Sequence, residues 1–195
     1  MGWRGTVEAM AAEPFVGIVL TGGASSRMGT DKAFVEVGGR PLVLRVADAL
    51  REAGASRVVA VGGDVSRLAA LGLDALPDHA AGQGPLGGIV TALEEVDADL
   101  VLVAACDLVA ITPTAVREVL DALTPDADAV LPRSDRLEPL MAAYRRRCVA
   151  HLRAELDDGE RAPHRAVEGL AVVQVRLHEV DALRDADGPD DLPVA

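Results

Sequence analysis

The chain has few aromatic side chains, few cysteines and no long apolar run. Aromatic residues make up 2% of its 195 residues while 50% are hydrophobic, so we expect a core of Val, Leu, Ala and Ile. The two cysteines, Cys106 and Cys148, are too few for a disulfide scaffold and fit a reducing compartment. No apolar run approaches the roughly 20 residues that a membrane-spanning helix needs. We therefore expect a cytoplasmic protein with no membrane partner.

Basic charge is also scarce. The chain has 31 acidic and 19 basic side chains, which gives a formal net charge of -12 at pH 7. This charge opposes long-range attraction to DNA, RNA and anionic membranes, so we expect no nucleic-acid partner. A site for a phosphorylated ligand must then be locally basic within an acidic protein. The length predicts one domain with enough chain to bury a core.

The stretch 15–26, FVGIVLTGGASS, begins as an apolar strand and ends as a loop of small side chains. Gly22 and Gly23 allow positive φ and leave backbone N–H groups uncovered, so consecutive amides can surround an anion. The cations Arg27 and Lys32 follow closely. Two glycines after a strand are by themselves also typical of a plain turn. With the two cations, the stretch predicts a site for a phosphate chain.

The rest of the chain alternates apolar strands with amphipathic helices. Strands are predicted at 33–37, 57–61, 74–76, 99–105, 127–131, 137–144 and 171–175, and helices at 41–53, 65–71, 89–96, 112–123, 148–156 and 164–167. The first half therefore has the order βαβαβ. Residues 1–13 precede the first strand and are predicted to be a flexible extension.

Two further segments carry candidate chemistry. The glycine-rich stretch 82–88 is predicted to be a loop before a helix, and its amides suit either an anion or a tight turn. The strand 99–105 is apolar on both faces and delivers Asp107 at its carboxyl end. Open α/β sheets bind ligands outside the carboxyl ends of their strands, and a carboxylate there can hold Mg2+ or cap a loop. Cys106 is predicted to be a buried core residue.

The string Leu20-Thr21-Gly22-Gly23-x-x-x-Arg27-Met28-Gly29-x-Asp31-Lys32 resembles the signature L-A-G-G-x-x-x-R-M-G-x-D-K of the MobA-like nucleotidyltransferases, above all the molybdenum cofactor guanylyltransferases. Thr21 replaces the usual alanine. Four other segments are similar to motifs of that family, namely 84–88 (G-G-P-L-A-G), 106–108 (C-D-x-P), 159–161 (G-E-R) and 185–192 (N-x-N-T-P-E-E-L). The second lacks the proline, and the fourth has aspartates for both asparagines and glycine for threonine. The resemblance spans residues 15–192.

The resemblance implies a single α/β domain over residues 14–195, with three αβα layers, a mostly parallel sheet and a Rossmann-like N-terminal half. It implies transfer of GMP from GTP to the terminal phosphate of molybdopterin, with release of pyrophosphate and with Mg2+ as cofactor. It also implies transient contact with other proteins of molybdenum cofactor biosynthesis.

Site residues follow from the same resemblance. Nucleotide contacts are implied for Leu20, Thr21, Gly22, Gly23, Lys32, Asp78, Gly84, Pro85, Leu86 and Asp107. Catalytic roles are implied for Arg27, Lys32 and Asp107, and metal binding for Asp107 with Asp187. A loose basic set, Arg133, Arg136, Arg161, His164 and Arg165, could meet the phosphate of an acceptor, although surface arginines are usually solvated.

Two alternatives remain open at the level of sequence. Val61 stands where the guanylyltransferases tend to have an asparagine that contacts the nucleotide, and Asp185 and Asp187 replace two further asparagines. A sister enzyme that uses CTP with molybdopterin, or another phosphorylated acceptor, is therefore one alternative. A nucleotide-binding regulator without turnover is the other, and the retention of Arg27, Lys32 and Asp107 argues against it.

Overall fold

The computed structural model describes residues 13–22 and 31–186. Gly23, Arg27 and Asp187, and nearly all of the predicted extension 1–13, lie outside these ranges. Within them, the strands in chain order are β1 (Val16–Leu20), β2 (Glu36–Val37), β3 (Arg40–Pro41), β4 (Arg57–Val61), β5 (Asp74–Leu76), β6 (Leu100–Ala105), β7 (Ala129–Pro132), β8 (Met141–Arg145) and β9 (Val172–Val175).

Seven of these strands form one sheet in the order β5-β4-β1-β6-β8-β7-β9, and β2 and β3 form a separate antiparallel ribbon. The pairs β5-β4, β4-β1, β1-β6 and β7-β9 are parallel, whereas β8 runs antiparallel to both of its neighbours. The prediction of an α/β protein with a mostly parallel sheet is confirmed. β1 lies between β4 and β6 because its apolar run, like that of β6, can be buried on both faces.

Helices cover both faces of the sheet. They are α1 (Leu42–Glu52), α2 (Val65–Ala70), α3 (Gly84–Glu95), α4 (Pro113–Asp121), α5 (Val149–Asp157) and α6 (Pro163–Ala166). Val19 of β1 packs with α1, α2 and α4 in one apolar cluster, while Ile18 packs with α3, α5 and α6 in the other. This alternation follows from the two-residue period of a strand and confirms the three-layer arrangement. No helix in the described ranges is long and apolar enough to cross a membrane.

The prediction of a strand at 33–37 is wrong for the first half of that range. A short 3-10 helix, Lys32–Phe34, occupies that part, and only Glu36–Val37 is a strand. The cause is a side-chain cap, since the Asp31 carboxylate accepts a hydrogen bond from the Ala33 N–H. This turn directs Lys32 toward the carboxyl edge of the large sheet.

The helix α3 begins at Gly84 rather than at the predicted Ile89. The glycines that suggested a loop are instead points of close helix packing. A Cβ at Gly87 would lie 2.9 Å from Ala80 Cβ, and one at Gly88 would lie 3.1 Å from Leu20 Cδ2. Small residues are required here because the helix lies directly against its neighbours. The predicted glycine loop is therefore mostly the first turns of a helix.

The predicted strand 137–144 is shorter than expected and begins at Met141. A turn precedes it, in which the Met141 N–H donates to the Glu138 carbonyl at 3.3 Å. Pro139 has no N–H for a sheet ladder, and its carbonyl instead accepts from the buried Tyr144 hydroxyl at 2.9 Å. The residues before the turn form an exposed loop over the carboxyl edge.

Candidate active site

Three neighbouring strands, β4, β1 and β6, end at the same edge of the sheet. Leu20 lies opposite both Val61 and Ala105, so the residues that follow these strands lie side by side. The Thr21 N–H donates to the Val61 carbonyl at 2.9 Å, and the Cys106 N–H donates to the Leu20 carbonyl at 3.0 Å. These bonds extend the ladder by one residue and fix the start of each loop.

Lys32 and Asp107 form an ion pair at this edge. Lys32 Nζ lies 3.2 Å from Asp107 Oδ2, and the two side chains are 17% and 23% exposed. Water screens a pair of this exposure only partly, so the attraction is stronger than between two fully solvated side chains. Lys32 Nζ also donates to the Ala186 carbonyl at 2.8 Å. The two residues that the sequence assigned to one site therefore contact each other.

A C-terminal segment lies across the Asp107 loop. The Ala186 N–H donates to the Asp107 carbonyl at 3.0 Å, and the Val109 N–H donates to the Arg184 carbonyl at 3.2 Å. Leu108 and Asp185 form an isolated antiparallel bridge between these bonds. The segment thus joins the carboxyl edge as a short additional strand, and Lys32 holds it there.

Asp78 lies beyond β5 with one oxygen fixed and the other directed to the loop after β1. Its Oδ1 accepts from the Ala80 N–H at 2.9 Å and from the hydroxyl of Thr91, which is fully buried, at 3.0 Å. Its Oδ2 lies 3.8 Å from the position that a Cβ at Gly22 would occupy. The fixed oxygen orients the carboxylate, so the other oxygen can meet a ligand over Gly22.

The loops after β1 and β4 touch backbone to backbone. A Cβ at Gly62 would lie 2.9 Å from the Gly22 nitrogen, and both Gly62 and Gly63 have positive φ, 86° and 65°. The buried Thr21 hydroxyl donates toward the Gly62 carbonyl at 2.8 Å and the Val61 carbonyl at 3.1 Å. No role was predicted for Gly62 and Gly63, which directly follow the strand predicted at 57–61. The signal that could have found them is a second glycine pair directly after a buried strand.

The first turn of α3 lies near the same edge. Gly84 and Pro85 are exposed, and a Cβ at Gly84, whose φ is 75°, would lie 3.3 Å from the Arg161 carbonyl. Leu86 is fully buried and Leu20 packs beneath the helix, so their side chains belong to the core. Contact between Leu20 or Leu86 and a ligand would come from the backbone.

A cavity of about 410 Å³ adjoins the ion pair. Its polar lining residues are Asp107, Arg136, Glu138, His164 and Asp185, and the rest of the lining is apolar. Of the predicted basic set, Arg136 and His164 thus reach the cavity. Arg161 is instead bonded to main-chain carbonyls through its Nη1, which donates to the Leu156 carbonyl at 2.7 Å.

The other two members of the basic set, Arg133 and Arg165, are exposed and paired elsewhere. Arg133 Nη1 donates to the Gln174 side chain at 3.1 Å, and Arg165 Nη1 lies 4.0 Å from Glu160 Oε2.

Cys106, next to Asp107, is a buried free thiol, as predicted. Burial, and then the Asp107 charge, raises the pKa of this thiol well above its ordinary value. It remains protonated and is not a nucleophile at neutral pH.

An α/β sheet with glycine turns and carboxylates at its carboxyl edge is typical of nucleotide-binding enzymes. Residues 17–175 match the sequence profile of the "MobA-like NTP transferase domain" family. The chain belongs to this family of nucleotidyltransferases.

Relatives with assigned names agree with this membership. A protein of Pelotomaculum thermopropionicum named "Probable molybdenum cofactor guanylyltransferase" is 38% identical over 72% of this chain and 68% of its own length. A Nostoc protein of the same name is 36% identical over 91% of this chain and 88% of its own length. The crystal structure of molybdopterin-guanine dinucleotide biosynthesis protein A from Archaeoglobus fulgidus matches with a TM-score of 0.72 at 27% identity, over 91% of this chain and 94% of that one.

Proposed function

We propose that this protein transfers GMP from GTP to the terminal phosphate of molybdopterin and releases pyrophosphate. The observation that carries the proposal is the Lys32–Asp107 pair, which lies where β1 and β6 end and borders the cavity of about 410 Å³. Lys32 can bind phosphates and Asp107 can bind a metal ion, and the cavity next to them is large enough for a second substrate. The names of the relatives supply the identity of the two substrates.

The triphosphate would lie over the loop that follows β1. Its binding groups would be the backbone amides of Gly22 and Gly23 and the side chains of Arg27 and Lys32, because the Thr21 N–H already donates to the Val61 carbonyl. Gly23 and Arg27 enter the proposal from the sequence signature alone. The base would lie over Gly22, toward Asp78, with the exposed first turn of α3 (Gly84 and Pro85) as a further wall. Small residues and positive φ at this edge let backbone groups approach the nucleotide closely.

The residues present fit a magnesium ion. The Asp107 Oδ2 is paired with Lys32, and its Oδ1 accepts no hydrogen bond from the described residues, so one hard oxygen ligand is available. Among residues 13–22 and 31–186, no three His, Cys, Asp or Glu side chains cluster as a metal site. A single carboxylate suits Mg2+ because this ion commonly binds one or two carboxylates, several waters and substrate phosphates. Asp187 is proposed from the sequence as a second ligand.

In the proposed reaction an oxygen of the acceptor phosphate forms a bond to the α-phosphorus of GTP, and the bond from that phosphorus to the bridging oxygen of pyrophosphate breaks. The second pKa of a phosphate monoester is about 6, so the attacking oxygen is ionised at neutral pH and needs no general base. Lys32 would neutralise charge on the transferred group, and Asp107 would hold Mg2+. When bound, Mg2+ adds positive charge at the phosphates. Catalysis then consists of positioning and charge neutralisation.

The acceptor would occupy the cavity beside Asp107. Its apolar walls suit the flat faces of a ring system, and Arg136 and His164 lie at the lining where a terminal phosphate needs cations. Arg136 is paired with Glu138 at 3.3 Å but 77% exposed, so it can turn toward an anion at small cost. A cytoplasmic location is part of the proposal, and the two buried free thiols support it.

The test is pyrophosphate release with molybdopterin, Mg2+ and each of GTP, CTP, ATP and UTP in turn. GTP should give the fastest release, and omission of molybdopterin should abolish it. Equal or faster release with CTP would move the protein to a cytidylyltransferase function. Nucleotide binding without release under any condition would support a regulator.

A further inference from the structure

We propose that Thr21 is a positioning residue for base selection, because its hydroxyl holds the Gly62–Gly63 turn so that the Gly63 N–H donates to O6 of guanine. This inference rests on the proposed use of GTP and concerns the same site. It gives a function to a hydroxyl and a glycine turn that the proposed chemistry leaves unused.

The Thr21 side chain binds the turn from below. Its hydroxyl lies 2.8 Å from the Gly62 carbonyl oxygen, and Thr21 is only 6% exposed. A Cβ at Gly63 would lie 3.0 Å from Thr21 Oγ1, so the side chain also packs against the Gly63 Cα. Thr21 therefore fixes both the carbonyl of the first glycine and the position of the second.

The turn is held at both ends and open in the middle. The Gly62 N–H donates to the Leu76 carbonyl at 2.9 Å, and the Asp64 carboxylate caps α2 through the Arg67 N–H at 3.0 Å. Gly63 between them is exposed, and its N–H has no acceptor among the described residues. A backbone donor held in a rigid turn and open to solvent can read a ligand without side-chain ordering.

This donor shares one face with the Asp78 carboxylate. The position that a Cβ at Gly22 would occupy lies 4.0 Å from the Gly63 nitrogen and 3.8 Å from Asp78 Oδ2. Gly22 leaves that space open, and its neighbours offer one donor and one anionic acceptor. The edge of guanine presents the complement, with O6 as acceptor beside N1–H and the 2-amino group as donors.

The order of donor and acceptor along the edge is what excludes other bases. Adenine and cytosine place an amino group where guanine has O6 and a ring acceptor where guanine has N1–H. The Gly63 N–H would then face a donor, and the Asp78 carboxylate would face an acceptor, so both contacts would be unfavourable. Uracil keeps the order but lacks the amino group that a carboxylate can also bind. A site that leaves buried or oriented polar groups unpaired discriminates strongly against the wrong ligand.

The experiment compares Thr21→Val, which removes the hydroxyl, with Thr21→Ser, which keeps it. Substrates are GTP, 6-thio-GTP, in which sulfur replaces O6, and ITP, which lacks the 2-amino group. In the Thr21→Val enzyme the KM for GTP should rise roughly fivefold to tenfold with kcat nearly unchanged, since one neutral hydrogen bond is misplaced. Its preference for GTP over 6-thio-GTP should fall, while its preference for GTP over ITP should remain. Thr21→Ser should behave like the parent.

A Thr21→Val enzyme that keeps the full preference for GTP over 6-thio-GTP would overturn the inference and leave the proposed function intact. If that variant is poorly folded by thermal melting, Thr21→Ala, which removes the methyl group as well, replaces it. Stabilisation of each protein by the three nucleotides reports base preference without turnover. A parent that is stabilised by GTP but releases no pyrophosphate would contradict the proposed function alone, and a parent indifferent to GTP would overturn both.

Discussion

Loss of the Lys32 charge should separate catalysis from stability. Lys32→Met keeps an unbranched side chain of similar length but removes the partner of Asp107 at 3.2 Å and the donor to the Ala186 carbonyl at 2.8 Å. Asp107 is 23% exposed, so water can replace part of the lost interaction, and we expect a loss of about 1–2 kcal/mol in unfolding free energy. For a chain of this size about 1 kcal/mol corresponds to roughly 2–4 °C in Tm.

The effect on activity should be larger than the effect on stability. Pyrophosphate release should fall at least tenfold, which is about 1.4 kcal/mol of transition-state stabilisation. The matched control is Arg57→Met, which breaks the ion pair with Asp74, whose two side chains are 55% and 59% exposed, at the opposite end of β4. This control should retain activity and lose little stability. A Lys32→Met enzyme with the parent's rate and nucleotide affinity would refute the assignment of Lys32 to the phosphates.

Three further predictions test other parts of the account. Asp107→Asn keeps size and removes charge, so the Mg2+ concentration that gives half-maximal activity should rise; an unchanged metal titration would make Asp107 a loop residue only. Gly62→Ala should lower Tm more than Gly39→Ala, because both residues have positive φ but only a Cβ at Gly62 meets backbone, at 2.9 Å; equal losses would contradict the close contact. The Ala171 N–H, and then Arg147, holds the pKa of the Asp128 carboxyl below its ordinary value. The stability it adds is present above about pH 4 and lost as pH falls further, so the lower Tm of Asp128→Asn at pH 7 should converge on the parent in acid.

The parts of the fold that could be predicted from sequence are those fixed by local pattern. The apolar runs of β1 and β6 are buried on both faces, which is why they read as central parallel strands. Thr112 before Pro113 marks the start of α4, and its hydroxyl does accept from the Ala115 N–H at 3.1 Å. These signals depend on residues close together in the chain, so they can be recognised in the sequence.

The features that escaped prediction depend on distant contacts. The start of α3 was misplaced because Gly87 and Gly88 read as loop residues, whereas their role is to admit Ala80 and Leu20 at close range. The Asp31 cap, which turns part of the strand predicted at 33–37 into a 3-10 helix, is a local contact. It was missed because the alternating pattern of residues 33–37 is also typical of a strand. Tertiary packing decides between such patterns, and sequence order does not record it.

The candidate site shows the same division. Lys32 and Asp107 could each be predicted as ligands of a substrate, yet their mutual ion pair joins residues 75 positions apart. Thr21 was predicted as a nucleotide contact, but the role of its hydroxyl was missed because its partners, the Val61 and Gly62 carbonyls, lie 40 and 41 residues away. The strand pairing of β1 with β4 brings them together, so their contact follows from topology.

The central claim is tested most directly by following the α-phosphate of GTP. The protein is incubated with molybdopterin, Mg2+ and GTP labelled at that phosphate, and the products are separated and weighed by mass spectrometry. We predict that the label appears in a molybdopterin guanine dinucleotide, with one unlabelled pyrophosphate released for each dinucleotide formed. Label recovered in free GMP or GDP, or a labelled dinucleotide formed only when CTP replaces GTP, would contradict the account.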